Sequence, residues 1–419
     1  MNITIHRGAN QIGGCITEIS TKECKVIIDL GSNLPGCKEM ELTAGQVMKI
    51  TDDADAVFYT HYHGDHLGLH HLVSPHVPQY IGEGAKKVLL CKYKALALHG
   101  NYSRQIKSAE QMLTYHAAEQ IDISQKRKIF VTPYFVSHSA FDAYMFLIEC
   151  EGKKILHTGD FRKHGFLGKG LLPTLKKRIG NVDILIIEGT MLGRKQEPVL
   201  TESEITNHVT QALHMHKYIF ALCSSTDIER LATFHSACKE TGRIFLVDEY
   251  QESVVDIFTK YAGKKSRYFK FKTFRLINYR TENVKKELQH KGFLMPVRAS
   301  SFDLIKRMLD VYNDEQPWLI YAMWSGYADS DSDSALEGVT RIRSLFPDRI
   351  YDGVKDGVHT SGHADVQALE EMCRTVRPRI GIIPIHKDAN HRYEELGILG
   401  YRIFGEGQTK TDNIHISIR

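Results

Sequence analysis

The feature that most restricts this chain is the run Thr60-His61-Tyr62-His63-Gly64-Asp65-His66, which follows directly on a strand-like stretch at residues 54–60. Composition alone would place three histidines and an aspartate at these offsets with odds of roughly half a per cent, so accident explains the run poorly. A turn that follows a strand aims its side chains at two neighbouring points, so His61 and His63 reach one ion while Asp65 and His66 reach a second. Imidazole nitrogen and carboxylate oxygen without thiolate suit catalytic zinc, which keeps one position open for water.

Two ions need more ligands, and the sequence offers them where further strands give way to loops. His138 follows the apolar run 129–136, Asp160 follows 154–158, and His386 follows 380–385. Taken singly, each reads as a surface or capping residue. Together with the histidine run they read as a set. The chain holds 22 histidines, which raises the question of metal binding without answering it.

The organisation supports a layered α/β fold. Residues 3–5, 17–19, 25–29, 54–60, 128–135, 143–150, 154–158 and 183–188 read as strands bounded by Gly, Asp or Asn, and 82–120 reads as helices packed on a sheet. From about residue 202 the pattern changes to helices alternating with single strands, the rhythm of a parallel sheet, and from residue 356 the strand-and-histidine style returns. The expected division is therefore 1–198 and 353–419 as one domain in two parts, with 199–352 inserted into it.

These motifs together resemble the metallo-β-lactamase superfamily, and within it the β-CASP nucleases, especially ribonuclease J. The resemblance covers essentially the whole chain. It implies an αββα sandwich with an inserted α/β domain. It implies His61, His63 and His138 on one zinc, Asp65, His66 and His386 on the other, and Asp160 bridging them. Asp29, in Ile28-Asp29-Leu30-Gly31, matches a structural aspartate of the superfamily, while Glu188, His363 and His386 match the three β-CASP motifs. Two departures stand out. Lys387-Asp388 replaces the Gly-Glu usual in ribonuclease J, and with residue 419 close behind His386 its separate C-terminal domain is expected to be absent.

The implied activity is zinc-dependent hydrolysis of RNA phosphodiester bonds by a hydroxide held on two metals, endonucleolytic, 5′-to-3′ exonucleolytic or both. Two zinc ions per chain are expected, with manganese as an alternative. Asp65 and Asp160 are candidates to receive the water proton, His363 to protonate the departing oxygen or stabilise the phosphate, and Glu188 to orient His363. Ser361 and Gly362 are candidates to offer backbone N–H groups to a phosphate. His70, His71, His76 and His157 read as surface or supporting residues. The competing readings are a hydrolase of DNA or of a small ester or thioester on the same cradle, and a nucleic-acid-binding protein of weak activity.

Single-stranded RNA is the expected partner. Residues 260–280 hold eight Lys or Arg and six Tyr or Phe with no acidic residue, and Lys264, Lys265, Lys270 and Lys272 are the candidate phosphate contacts. An amphipathic pair of strands with a solvated basic face fits that stretch equally well. A net charge of +4 is too mild to decide. The eight cysteines form no C-x-x-C pair, and neither a signal peptide nor a membrane segment is visible, so a cytoplasmic location is expected. The oligomeric state is open between monomer and homodimer.

Overall fold

The computed structural model describes residues 1–125, 128–194, 198–398, 400–405 and 414–418. The chain divides into one unit of Met1–Lys163, Leu167–Gln196 and Gly362–Arg419, and another of His164–Phe166 and Glu197–Ser361. Among the described residues no helix is long and apolar enough to cross a membrane.

Two sheets build the first unit. One orders its strands Ile414–Ser417, Asn2–Arg7, Ile16–Ser20, Lys25–Ile28, Ala56–Phe58, Gln79–Gly82 and Leu113–Tyr115. The other runs Gly381–Ile385, Ile184–Glu188, Lys153–His157, Ala143–Cys150, Ile129–Val136 and Ile121–Asp122. Side chains alternate across each strand, so Ile3, Ile5, Ile19, Val26, Ile28 and Phe58 of the first sheet meet Val131, Phe146, Ile148, Ile155, Ile184 and Ile186 of the second in one core. Each such buried aliphatic side chain contributes roughly 1.5–3 kcal/mol.

Leu147, Leu156, Leu185 and Ile187 point the other way and pack with Leu369, Met372 and Val376 of the helix Val366–Val376. The run from Ile184 to Ile187 is apolar at every position because its strand is covered on both faces. The helix Glu83–Leu96 packs against the strands Gln79–Gly82 and Leu113–Tyr115 of the first sheet. The fold is the αββα sandwich expected. One local expectation fails: residues 113–115, read as part of a helical segment, form a strand parallel to Gln79–Gly82.

Strand direction is what gathers the site. Lys153–His157, Ile184–Glu188 and Gly381–Ile385 are mutually parallel. Ala143–Cys150 is antiparallel to both of its neighbours, so Ile129–Val136 runs the same way as those three. Their four C-terminal ends therefore share one edge, and His138, Asp160, Glu188 and His386 stand at or just beyond it. At that edge the Thr60 carbonyl of the first sheet accepts from the Tyr144 N–H of the second at 3.0 Å, which brings the histidine run to the same place.

The second unit is a parallel sheet in the order Phe274–Arg275, Ile244–Val247, Phe293–Val297, Tyr218–Leu222, Trp318–Tyr321 and Ile350–Asp352. Its helix Glu202–Met215 opens with a reciprocal Thr201–Glu204 cap and buries Ile205, Val209, Ala212 and Leu213 at helical spacing. Residues 260–280 are not a strand pair. They comprise the end of the helix Glu249–Tyr261, a turn at Arg267–Phe269 and the short strand Phe274–Arg275.

Candidate metal centre

The histidine run is held by its own backbone. The single helical turn Gly64–Leu67 follows His63, and the carbonyls of Gly64, Asp65 and His66 accept from the N–H groups of Ser32, Cys15 and Leu30 at 2.9, 3.0 and 2.7 Å. Gly31 lets the chains come this close, since a Cβ there would sit 1.8 Å from the Asp65 carbonyl oxygen. Asp29, at φ 63°, turns its carboxylate under the run. It accepts from the Thr60 N–H at 2.8 Å and lies 2.8 Å from His66 Nδ1, while Thr60 Oγ1 lies 3.0 Å from His61 Nδ1. Both rings are thus oriented through Nδ1, which turns Nε2 toward a common point.

That point is Asp160. Its Oδ2 lies 3.0 Å from His66 Nε2, 3.7 Å from His386 Nε2, 3.8 Å from His138 Nε2 and 3.9 Å from His61 Nε2. His63 Nδ1 is 3.3 Å from His138 Nε2, and His138 is fixed from behind by the Gly362 carbonyl at 2.7 Å from its Nδ1. His386, at φ 51°, sets Nε2 3.1 Å from Asp65 Oδ2, with Nδ1 2.7 Å from Thr190 Oγ1. The donor atoms of His61, His63 and His138 fall within 4.8 Å of one another, as do those of His61, His66 and Asp160. All seven residues expected as ligands are therefore brought together.

The fit to a metal rests on unmatched donors. His61 Nε2, His66 Nε2 and Asp160 Oδ1 are buried without a hydrogen-bond partner, an arrangement that is costly unless a cation takes those lone pairs. The charges agree. Burial, with the neighbouring imidazoles adding to it, keeps His61 and His138 well below the usual histidine range, and burial brings His63 down to about 4. Burial also disfavours charge on His66, yet the Asp160 and Asp29 carboxylates outweigh it and raise that ring well above its ordinary value. Asp160 and Asp65, penalised by burial, are nonetheless held far below the carboxylate range by the histidines around them.

His363 stands beside this cluster, its Nδ1 3.0 Å from Glu188 Oε2 and 3.6 Å from Asp160 Oδ2. Glu188 is fully buried and also accepts from the Phe161 N–H at 2.9 Å. Burial acts against a charge on His363, but Glu188 and Asp160 prevail and raise it.

Residues 35–227 match the beta-lactamase superfamily domain, and residues 348–392 match the Zn-dependent metallo-hydrolase RNA specificity domain, a span that holds both His363 and His386. The chain belongs to the metallo-β-lactamase superfamily. Among curated relatives it is 30% identical over 204 residues to an RNase J-like protein of Methanocaldococcus jannaschii, covering 45% of this chain and 42% of that protein. It is 29% identical over 161 residues to Endoribonuclease YSH1 of Mycosarcoma maydis, covering 35% of this chain and 18% of that one. The matches thus span less than half the length of either relative. Together the two domains and these relatives fit the β-CASP family within the superfamily. A crystal structure of a protein of unknown function from Enterococcus faecalis V583 shares the fold at a TM-score of 0.72 and 17% identity, over 99% of each chain.

In this superfamily member the remaining candidates divide. Ser361 lies in the second unit, where its carbonyl is 2.7 Å from His164 Nε2, and the group Gly362 engages is its carbonyl, on His138. Lys264, Lys265, Lys270 and Lys272 are exposed in the second unit. His70 is not at the surface. It is buried between Ser108 Oγ at 2.9 Å and the Tyr93 hydroxyl at 3.0 Å. His157 is buried as support, accepting from the Gly159 N–H at 3.2 Å next to Asp160. Sequence reading missed Thr190, whose hydroxyl also lies 3.2 Å from His363 Nδ1, and Cys15, whose sulfur shares a 4.8 Å cluster with His66 and His386. A hydroxyl two residues past a motif glutamate, and a cysteine just ahead of the strand Ile16–Ser20, give little local signal.

Proposed function

We propose that this protein is a zinc-dependent ribonuclease that holds two ions, with His61, His63 and His138 around one, Asp65, His66 and His386 around the other, and Asp160 between them. The observation that carries the reading is the Glu188–His363 pair set 3.6 Å from Asp160 Oδ2, an imidazole donor beside a ready set of metal donors. When bound, the ions supply an activated water near neutral pH and neutralise phosphate charge. The residues do the rest. Asp65 and Asp160, ionised under the surrounding imidazoles, take the proton of the attacking water. Glu188 accepts from His363 Nδ1–H, so the ring acts through Nε2 and delivers its proton to the departing 3′-oxygen.

The unit Glu197–Ser361 is the substrate-handling domain of this reading. Single-stranded RNA as its partner is supported by the exposed Lys264, Lys265, Lys270 and Lys272 beside Tyr268, which stacks on Phe166 at 4.6 Å under Arg267. A cytoplasmic setting is supported by eight cysteines that are all free thiols.

The test is His363→Ala on an end-labelled RNA oligonucleotide, with metal content measured on the same sample. Zinc stays at the wild-type level while cleavage falls by about 10² or more, the scale of a lost general acid. Loss of zinc together with activity would make His363 a ligand and overturn its assignment.

A further inference from the structure

The ligand set above is made of nitrogen and oxygen alone, yet a sulfur atom stands against it. Cys15 Sγ, the His66 donor and the His386 donor all lie within 4.8 Å of one another, and all three residues are buried. His66 Nε2 is buried with no hydrogen-bond partner, close to Asp160 Oδ2 but not aligned with it. A zinc with nitrogen ligands at about 2.0 Å and a thiolate at about 2.3 Å keeps such donors roughly 3.5 Å apart, so displacements of about an ångström close the polyhedron.

The backbone ties Cys15 to the ligands themselves. Its N–H donates to the carbonyl of Asp65 at 3.0 Å, and its carbonyl accepts from Gly31 N–H at 3.0 Å. Gly8 packs beside the thiol, and a Cβ there would come within 2.9 Å of Cys15 Sγ. The same Gly8, at φ 98°, offers its carbonyl to the His386 N–H at 2.6 Å. One glycine in a conformation that side chains rarely adopt therefore leaves room for the sulfur and fixes the ligand facing it. The seven other cysteines belong to none of the metal-donor clusters among the described residues.

We infer that Cys15 is a sulfur donor to the metal position formed by Asp65, His66 and His386, and that it biases this position toward zinc and other thiophilic ions and away from manganese. The inference rests on the two-metal reading above. Ligation takes the thiol as thiolate and releases its proton to solvent. A soft thiolate adds affinity for zinc or cadmium and little for manganese, whose preference is for oxygen donors.

The experiment is to load the metal-free full chain with cobalt(II) and record its absorption. Wild-type protein shows the visible bands of bound cobalt together with an intense near-ultraviolet sulfur-to-cobalt charge-transfer band. Cys15→Ser keeps the visible bands and loses the charge-transfer band, and its zinc-over-manganese preference, read by competition dialysis, falls by about 10-fold, the lower end of the 10–100-fold scale of ligand-shell changes. The wild-type spectrum decides the matter even where the variant folds poorly. Bound cobalt without a charge-transfer band overturns the sulfur donor and leaves the two-metal centre standing. Failure to bind cobalt at all overturns both.

Discussion

At the scale of single residues, the two halves of the site differ in how they meet a proton. His61, His63 and His138 are kept neutral by burial, His63 with a value of about 4, so a metal there displaces no proton across the physiological range. His66 is the reverse, because Asp160 and Asp29 raise it against the effect of burial, and a metal bound to it must expel a proton. Affinity at the position of Asp65, His66 and His386 therefore falls as pH falls below the raised value of His66, while the other position holds until pH approaches 4. Dialysis against a competing chelator at pH 7 and pH 5, followed by elemental analysis, is expected to show zinc dropping from about two to about one per chain. His386→Ala should remove the pH-sensitive ion and His63→Ala the resistant one. Simultaneous loss of both ions, or the opposite assignment, contradicts this account of the charges.

Among the elements, a buried ion pair joins two helices of the second unit. Arg230, on the helix Ile228–Thr241, and Glu202, at the start of Glu202–Met215, are both fully buried, with Nη2 3.0 Å from Oε1 and Nε 3.2 Å from Oε2. Arg230→Met leaves a buried carboxylate without its counter-charge, which costs about 3–5 kcal/mol. The two tryptophans, Trp318 and Trp324, both lie in this unit, so urea unfolding followed by their fluorescence reports on it separately from the first unit. A loss below about 1 kcal/mol would show that the pair is replaceable by apolar packing. Elements with one decisive pattern were legible in the sequence. Ile184–Glu188 and Gly381–Ile385 announce themselves as continuous apolar runs because both faces are covered, and Ala143–Cys150 appears with the bounds expected. Leu113–Tyr115 was misread because three residues after a helix carry no period of their own, and only parallel pairing to Gln79–Gly82 makes them a strand. The candidate ligands that the fold gathers were legible because strand ends followed by His or Asp are a local signal. Cys15 and Thr190 were not, because their importance comes from residues far along the chain.

For the whole molecule, one unit holds the candidate metal centre and the other carries a basic, aromatic surface stretch. If that stretch meets the RNA backbone, exchanging Lys264, Lys265, Lys270 and Lys272 together for Gln weakens RNA binding and flattens its dependence on salt, since each lost phosphate contact removes a released counterion. An unchanged slope across a salt series would leave those lysines as solvated surface. If this cradle serves RNA cleavage, its choice of substrate shows it. The decisive measurement gives the zinc-loaded chain single-stranded RNA, DNA of the same sequence and a simple thioester at one salt concentration, and compares kcat/KM. Discrimination between RNA and DNA has to come from groups that meet the 2′-hydroxyl. RNA cleavage is expected to be at least tenfold more efficient than either alternative, abolished by chelation and restored by zinc. Equal or faster turnover of the DNA or the thioester would contradict it.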